Sequence, residues 1–252
     1  MFSNQEAKTI VGLISTNRFE SYKKIFYGGN AHITNNTNNE LIFYSKIQDI
    51  YSCIYPVIQL LEITLRNKIH FAKKNHYKTE DWFPIFEAEN HVSYKSKGLI
   101  KSARRKLNED FQKKSHSPKA EDMLCRITFG FWSEITSSTY RQHIFWQANV
   151  NVVFPNRNRH SLGYINNSLK KISTLRNRLY HYEPLCKERV NAEVFLQKIH
   201  SHFYSIIELI DFCSHEQILF LKRTGQIAKF NGALLSLKKF LNYTGMYNFA
   251  LT

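Results

Sequence analysis

Arg176, Asn177 and His181 put a guanidinium, an amide and an imidazole within six residues, in the string Leu175-Arg176-Asn177-Arg178-Leu179-Tyr180-His181-Tyr182-Glu183-Pro184. Arginine binds phosphate bidentately and is charged at any pH, asparagine offers both donor and acceptor, and histidine exchanges protons near neutrality. Together they can hold a phosphodiester and move protons around it without a metal. An ordinary reading competes, because an Arg and a His before a proline also occur where a helix ends, capping carbonyls and complementing the helix dipole. A near copy, Arg66-Asn67-Lys68-Ile69-His70, has one residue fewer between Arg and His. Its i, i+4 spacing suits surface charge, with Glu62 placed to pair with Arg66, and support is favoured over catalysis there.

Geometry constrains the main string further. On a regular helix Asn177 and His181 share a face, whereas Arg176 and His181, five steps apart, diverge by about 140°. A compact site then needs either a local distortion near Pro184 or a second copy of the motif. Arg176 is in register with the apolar face Leu162, Ile165, Leu169, Ile172 and Leu179, where a lone charge is costly without a partner. Ser161 is placed to cap this helix.

The elements that must carry these residues read as helical throughout. Glycine and proline are scarce, at 9 and 5, and apolar residues recur at three- and four-residue steps. An opening segment runs to about residue 27, and an Asn-rich polar loop follows over residues 30–39. From residue 41 to about 75, Ile47, Ile50, Ile54, Val57, Leu61 and Leu65 share one helical face, and Pro56 predicts a kink or a break between two helices. Leu124, Ile127, Phe131 and Ile135 predict another apolar face, and Gly130 within it suggests that a second backbone packs closely there. Residues 154–159 form a basic loop, and segments 190 to about 213 and 218–241 close the helical part of the chain.

Charge points to a polyanionic partner. The 252 residues carry 35 Lys and Arg against 20 acidic residues, a net charge of +15 and a pI near 9.6, with 43% hydrophobic content to build a core. RNA, DNA or an anionic membrane surface would each satisfy that charge. Nine of the basic residues (Lys95, Lys97, Lys101, Arg104, Arg105, Lys106, Lys113, Lys114 and Lys119) fall between 95 and 119 against only Glu109 and Asp110. Such a run is commonly a solvated helix face. It is equally a way to track a phosphate backbone, here through Lys101, Arg104 and Arg105, with Tyr94 and Phe111 available to stack on bases.

Other chemistries find little in the chain. There is no Gly-x4-Gly-Lys-Ser/Thr loop, Gly-x-Ser-x-Gly elbow, Cys-x-x-Cys pair or His-Glu-x-x-His helix. His200 and His202, like Cys213 and His215, diverge on a helix, so neither a metal nor a cofactor is expected. Cys53, Cys125, Cys186 and Cys213 have no paired spacing and read as buried small hydrophobes in a reducing compartment. The first residues lack the basic start and apolar core of a secretory signal, and no run of about 18 apolar residues occurs. The expectation is a cytoplasmic protein outside the membrane.

Three ordered blocks give the reading a family. Leu61-Glu62-Ile63-Thr64-Leu65-Arg66-Asn67 with Asp81-Trp82-Phe83, then Leu124-Cys125-Arg126-Ile127-Thr128-Phe129-Gly130-Phe131-Trp132, then Arg176-Asn177-Arg178-Leu179-Tyr180-His181 resemble the Abi-like abortive-infection family (AbiD/AbiF type) of the HEPN superfamily. The likeness spans roughly residues 40 to 210, and Tyr182 stands where relatives often have a second histidine, which leaves His181 as the motif's proton carrier. The resemblance implies an all-α fold, a HEPN-like helical bundle with additional helices: an N-terminal segment 1–40, the helical domain 41–215 and an extension 216–252. It implies a metal-independent endoribonuclease of phage defence in which a ribose 2′-hydroxyl attacks the adjacent phosphate. Arg176, Asn177 and His181 would be catalytic. Arg178 and Tyr180 would contact phosphate and base, Glu183 would orient His181 or cap the helix, and Arg66 would face the same cleft. It also implies a homodimer with the motifs facing one another. The competing class is a HEPN module that holds a structured RNA or a partner protein without cutting.

Overall fold

The computed structural model describes residues 2–28, 36–112, 119–185 and 192–246, and every regular element among them is α-helical. Ser3 starts α1 (Asn4–Ile14) with a reciprocal cap: its hydroxyl accepts from Glu6 N–H and the Glu6 carboxylate accepts from Ser3 N–H. Ser15, at φ 84°, separates α1 from α2 (Thr16–Phe26).

The next helix, α3 (Thr37–Tyr77), is 41 residues long and extends past both ends of the predicted range. Its start lies inside the Asn-rich stretch, where the Asn36 side chain accepts from Asn39 N–H at 3.1 Å; residues 30–35 of that stretch are outside the described residues. Pro56 lies within α3 and does not divide it. The reason is the apolar stripe: Ile47, Ile50, Ile54, Val57, Leu61 and Leu65 are all fully buried in one unbroken register. At about 1.5–3 kcal/mol per buried aliphatic side chain, this stripe outweighs the roughly 3 kcal/mol cost of an interior proline.

The chain forms two compact units built from interleaved stretches. One comprises 1–58, 174–206 and 219–252, the other 59–173 and 207–218. The second unit contains α4 (Phe83–Ala88), α5 (Tyr94–Phe111), α6 (Ala120–Arg126), α7 (Phe129–Glu134) and α8 (Ile144–Val153). It also takes most of α9 (Leu162–Tyr180), whose last turns belong to the first unit with most of α10 (Ala192–Cys213), the end of α11 (His215–Arg223) and all of α12 (Gln226–Tyr243). Aromatic rings dominate both cores. In the first, Phe203 and Phe230 stack at 3.7 Å and Phe26 meets Phe43 at 5.1 Å. In the second, Trp82 stacks on Phe83 at 4.0 Å, and the Asn166 amide donates to Ser133 O and Thr136 Oγ1, joining α9 to the turn after α7.

Several expectations change. Leu124 and Ile127 do not share a helix with Phe131 and Ile135, because the chain turns at Ile127 and Thr128 between α6 and α7; all four are nevertheless buried. Among the described residues no backbone crowds Gly130, where an added Cβ would meet only Thr128 Oγ1, at an ordinary 3.6 Å. The segment 218–241 is divided by Gly225, whose φ of 72° ends α11 and starts α12. Cys53 and Cys213 are buried as expected but Cys125 is exposed, and Cys186 falls outside the described residues. No helix among the described residues is long and apolar enough to cross a membrane.

Candidate functional site

The Ser161 hydroxyl accepts from Tyr164 N–H at 3.2 Å and opens α9 as its sequence predicts. The buried stripe then runs Leu162, Ile165, Leu169, Ile172, Leu175 and Leu179. Leu175, not Arg176, continues the packed face, and Arg176 is half-buried at its edge. A single step of 100° makes the difference, and it spares the guanidinium full desolvation.

Helical bonding is regular through the motif. His181 N–H donates to Asn177 O at 3.0 Å, so the helix is undistorted as far as His181. The helix then closes as a Schellman turn: Tyr182 N–H donates to Leu179 O at 3.1 Å and Glu183 N–H to Arg178 O at 2.8 Å, with Tyr182 left-handed at φ 56°. Glycine is the usual residue there, and a side chain costs about 1–2 kcal/mol in that conformation. Neighbours within the first unit hold it. Tyr22 Oη donates to Tyr182 O at 3.4 Å, Tyr51 Oη donates to Glu183 O at 3.5 Å and accepts from Leu185 N–H at 3.1 Å, and the Arg18 guanidinium lies 5.7 Å from the Tyr182 ring centre. Arg178 also serves this turn, donating from Nη1 to Leu185 O at 2.6 Å.

What faces outward is a short row of groups. The Arg176 guanidinium lies 4.5 Å from the centre of the Tyr180 ring, and Tyr180 Oη shares a 2.8 Å hydrogen bond with Tyr55 Oη. Tyr55 and Tyr180 are partly exposed, Asn177 and His181 are exposed, and the His181 ring makes no hydrogen bond or ion pair among the described residues. Thus Arg176 lies over Tyr180, and His181 is presented exposed at the start of the turn. Tyr55 is the member that pattern reading missed; only its place on the long helix before Pro56 marks it.

The other predicted residues lie in the second unit. Arg66 is half-buried and donates from Nε to Asn67 Oδ1 at 3.2 Å, while His70 Nδ1 accepts from the Trp82 indole N–H at 3.0 Å, a packing role. The Ser93 hydroxyl caps α5 by accepting from Ser96 N–H, and Ser96, Ile100, Ala103 and Leu107 form its buried side. Within the basic run, Lys95 pairs with Glu134, Arg104 with Glu87 and Arg105 with Glu109. Lys97, Lys101, Lys106 and Lys119 have no ion pair among the described residues, and Lys113 and Lys114 lie outside them.

Two polar groupings in the second unit, one buried and one half-buried, escaped the sequence because their members are far apart in it. Lys73 is 2% exposed, with Nζ 3.8 Å from the ring centre of Phe145, 4.4 Å from Phe86, 5.2 Å from Tyr77 and 5.8 Å from Trp82. Burial pushes its amine down to about 7, against a pull upward from Glu89. Glu89, His91 and His143 hold ligand-capable atoms within 4.8 Å of one another. Their geometry does not fit a metal. The two imidazoles stack at 3.7 Å and 24°, so their in-plane lone pairs run side by side instead of converging, and His143 Nδ1 accepts from Phe145 N–H at 3.2 Å, which leaves the neutral ring's proton on Nε2. Burial pushes both histidines below their usual range, and Tyr77 Oη donates to Glu89 Oε1 at 2.9 Å. The group sits at the start of α8, which His143 caps.

Among known proteins, no family model, curated protein or solved structure matches the chain.

Proposed function

We propose that the chain is a HEPN-type, metal-independent endoribonuclease of abortive infection, acting as a homodimer with its 176–181 segments side by side. The supporting observation is the unbroken helix through His181. It presents Arg176, Asn177 and His181 on a braced turn yet keeps Arg176 over Tyr180, so a second copy is the remaining way to complete the site. The abortive-infection role rests on the three sequence blocks alone.

In this reading one His181 takes the proton of a ribose 2′-hydroxyl as the 2′-oxygen bonds to phosphorus. The bond from phosphorus to the 5′-oxygen breaks, and the second copy's His181 gives that oxygen a proton, leaving a cyclic phosphate and a free 5′-hydroxyl. Arg176 offsets charge on the phosphorane-like transition state, and Asn177 orients the phosphate or the ring. Tyr55 and Tyr180 offer ring faces beside the scissile step.

The test is labelled RNA incubated with the purified protein in EDTA. His181→Ala should cut about 10²- to 10⁴-fold more slowly, the usual cost of losing a general acid or base. Full activity in that variant would remove the ring from the mechanism, and activity abolished by EDTA would point to a metal. The basic stripe on α5 favours a second reading, a non-cleaving RNA holder, which predicts binding without cyclic-phosphate ends.

A further inference from the structure

The second unit contains a cavity of about 670 Å³ between α4, α5 and the start of α6, within the range of about 300–1,000 Å³ typical of small-ligand sites. Its accessible apolar surface includes Pro84, Ala88 and Ala120, all carried on regular helices. Beneath them Phe83 is buried and stacked on Trp82 at 4.0 Å. Its cations come from two directions. Lys97, Lys101 and Arg104 follow one another at i, i+4 and i+7 along α5, and Lys119 enters from the residue before α6, which packs on α5. The Glu87 carboxylate already takes up the charge of Arg104. Lys97, Lys101 and Lys119 have no such partner among the described residues, and the other carboxylate in the lining is that of Asp81.

We propose that this cavity binds a nucleoside phosphate, with the phosphate held between Lys101 and Lys119 and the base laid against Pro84 and Ala120. An inorganic anion would use the lysines but leave the apolar wall empty. A nucleotide uses both, and its amino or hydroxyl groups can donate to Asp81. The nucleotide is either free or one unit of a bound RNA, and in the second case the cavity gives the RNA binding proposed above a specific anchor. Nothing in this binding needs the 176–181 segment.

Calorimetry on the full chain carrying His181→Ala, with AMP, UMP and inorganic phosphate as probes, separates this proposal from the cleavage reading. The mononucleotides should bind at least 10-fold more tightly than phosphate. Lys101→Glu combined with Lys119→Glu should weaken them by at least 10-fold, and Ala120→Trp, which fills the cavity without changing charge, should do the same while circular dichroism stays that of the parent. Weak mononucleotide binding, together with a photo-crosslink from 4-thiouridine RNA to the cavity wall that Ala120→Trp abolishes, would identify RNA as the source. Equal affinity for phosphate and nucleotide would overturn the proposal. So would binding or crosslinking that is indifferent to both variants, or neither a nucleotide nor a crosslink at the wall. Cleavage assayed on the wild type then stands or falls independently.

Discussion

Replacing Lys73 by Met should stabilise the protein near neutral pH, although it removes a cation from a box of four aromatic rings. The unfolded lysine holds its proton up to about 10.5 and the folded one only up to about 7, a gap whose ceiling is roughly 5 kcal/mol at about 1.4 kcal/mol per unit. Against it stand the rings. Phe145 and Phe86, at 3.8 and 4.4 Å, are close enough for strong attraction to an ammonium, worth about 1 to 2 kcal/mol each once desolvated. Burial therefore wins by about 2 kcal/mol, and Met, of similar length, fills the space without a charge to desolvate.

The sign follows from proton counting. Between pH 7 and 10.5 the unfolded chain binds the extra proton, so wild-type stability is greatest at the top of this window and is lost as pH falls toward 7, below which the loss is constant. Attraction to the rings narrows the window from its lower end. His76, His91 and His143 around the amine are all pushed below their usual range by burial, so they are neutral throughout. The Tyr77 phenol, held up by burial and by Glu89, opposes the trend only above about 10. Urea unfolding at pH 7, 8 and 9 should show wild-type stability rising by up to about 1.4 kcal/mol per unit, a rise absent from Lys73→Met. A Met variant less stable than wild type at pH 7, with the same slope, would mean the amine is buried charged and the rings prevail.

The remaining expectations concern the motif, its turn and the basic stripe. Tyr182→Gly should leave stability unchanged or raise it by up to about 1 kcal/mol, whereas Tyr182→Val should lower it by at least as much, since the β-branched residue fits φ 56° worst; equal thermal midpoints for the two variants would refute the left-handed turn. Sedimentation should find a homodimer, and an active species that is strictly monomeric would exclude two facing motifs. Changing Lys101, Arg104 and Arg105 together to Ala should reduce the salt dependence of RNA binding by about 0.7 log–log units for each phosphate no longer neutralised. Most of the change should come from Lys101, because Arg104 and Arg105 also pair with Glu87 and Glu109; an unchanged slope would make the run a solvated face.

The helical class, the six-residue stripe of α3 and the Ser161 cap were legible in the chain, because periodicity and capping depend on neighbours within a turn or two. The same locality made the angular separation of Arg176 from His181 readable. Pro56 misled because its cost is local while the burial that overrides it comes from the rest of the core. Leu175 takes the packed place assigned to Arg176 because a stripe on a 3.6-residue helix drifts, and tertiary packing decides which residue is at its edge. The left-handed Tyr182 is tolerable only because Tyr22, Tyr51 and Arg178, drawn from three helices, brace the turn. The box around Lys73 and the cavity wall at Lys119 likewise join residues tens of positions apart, and only the folded chain brings such residues within reach of one another.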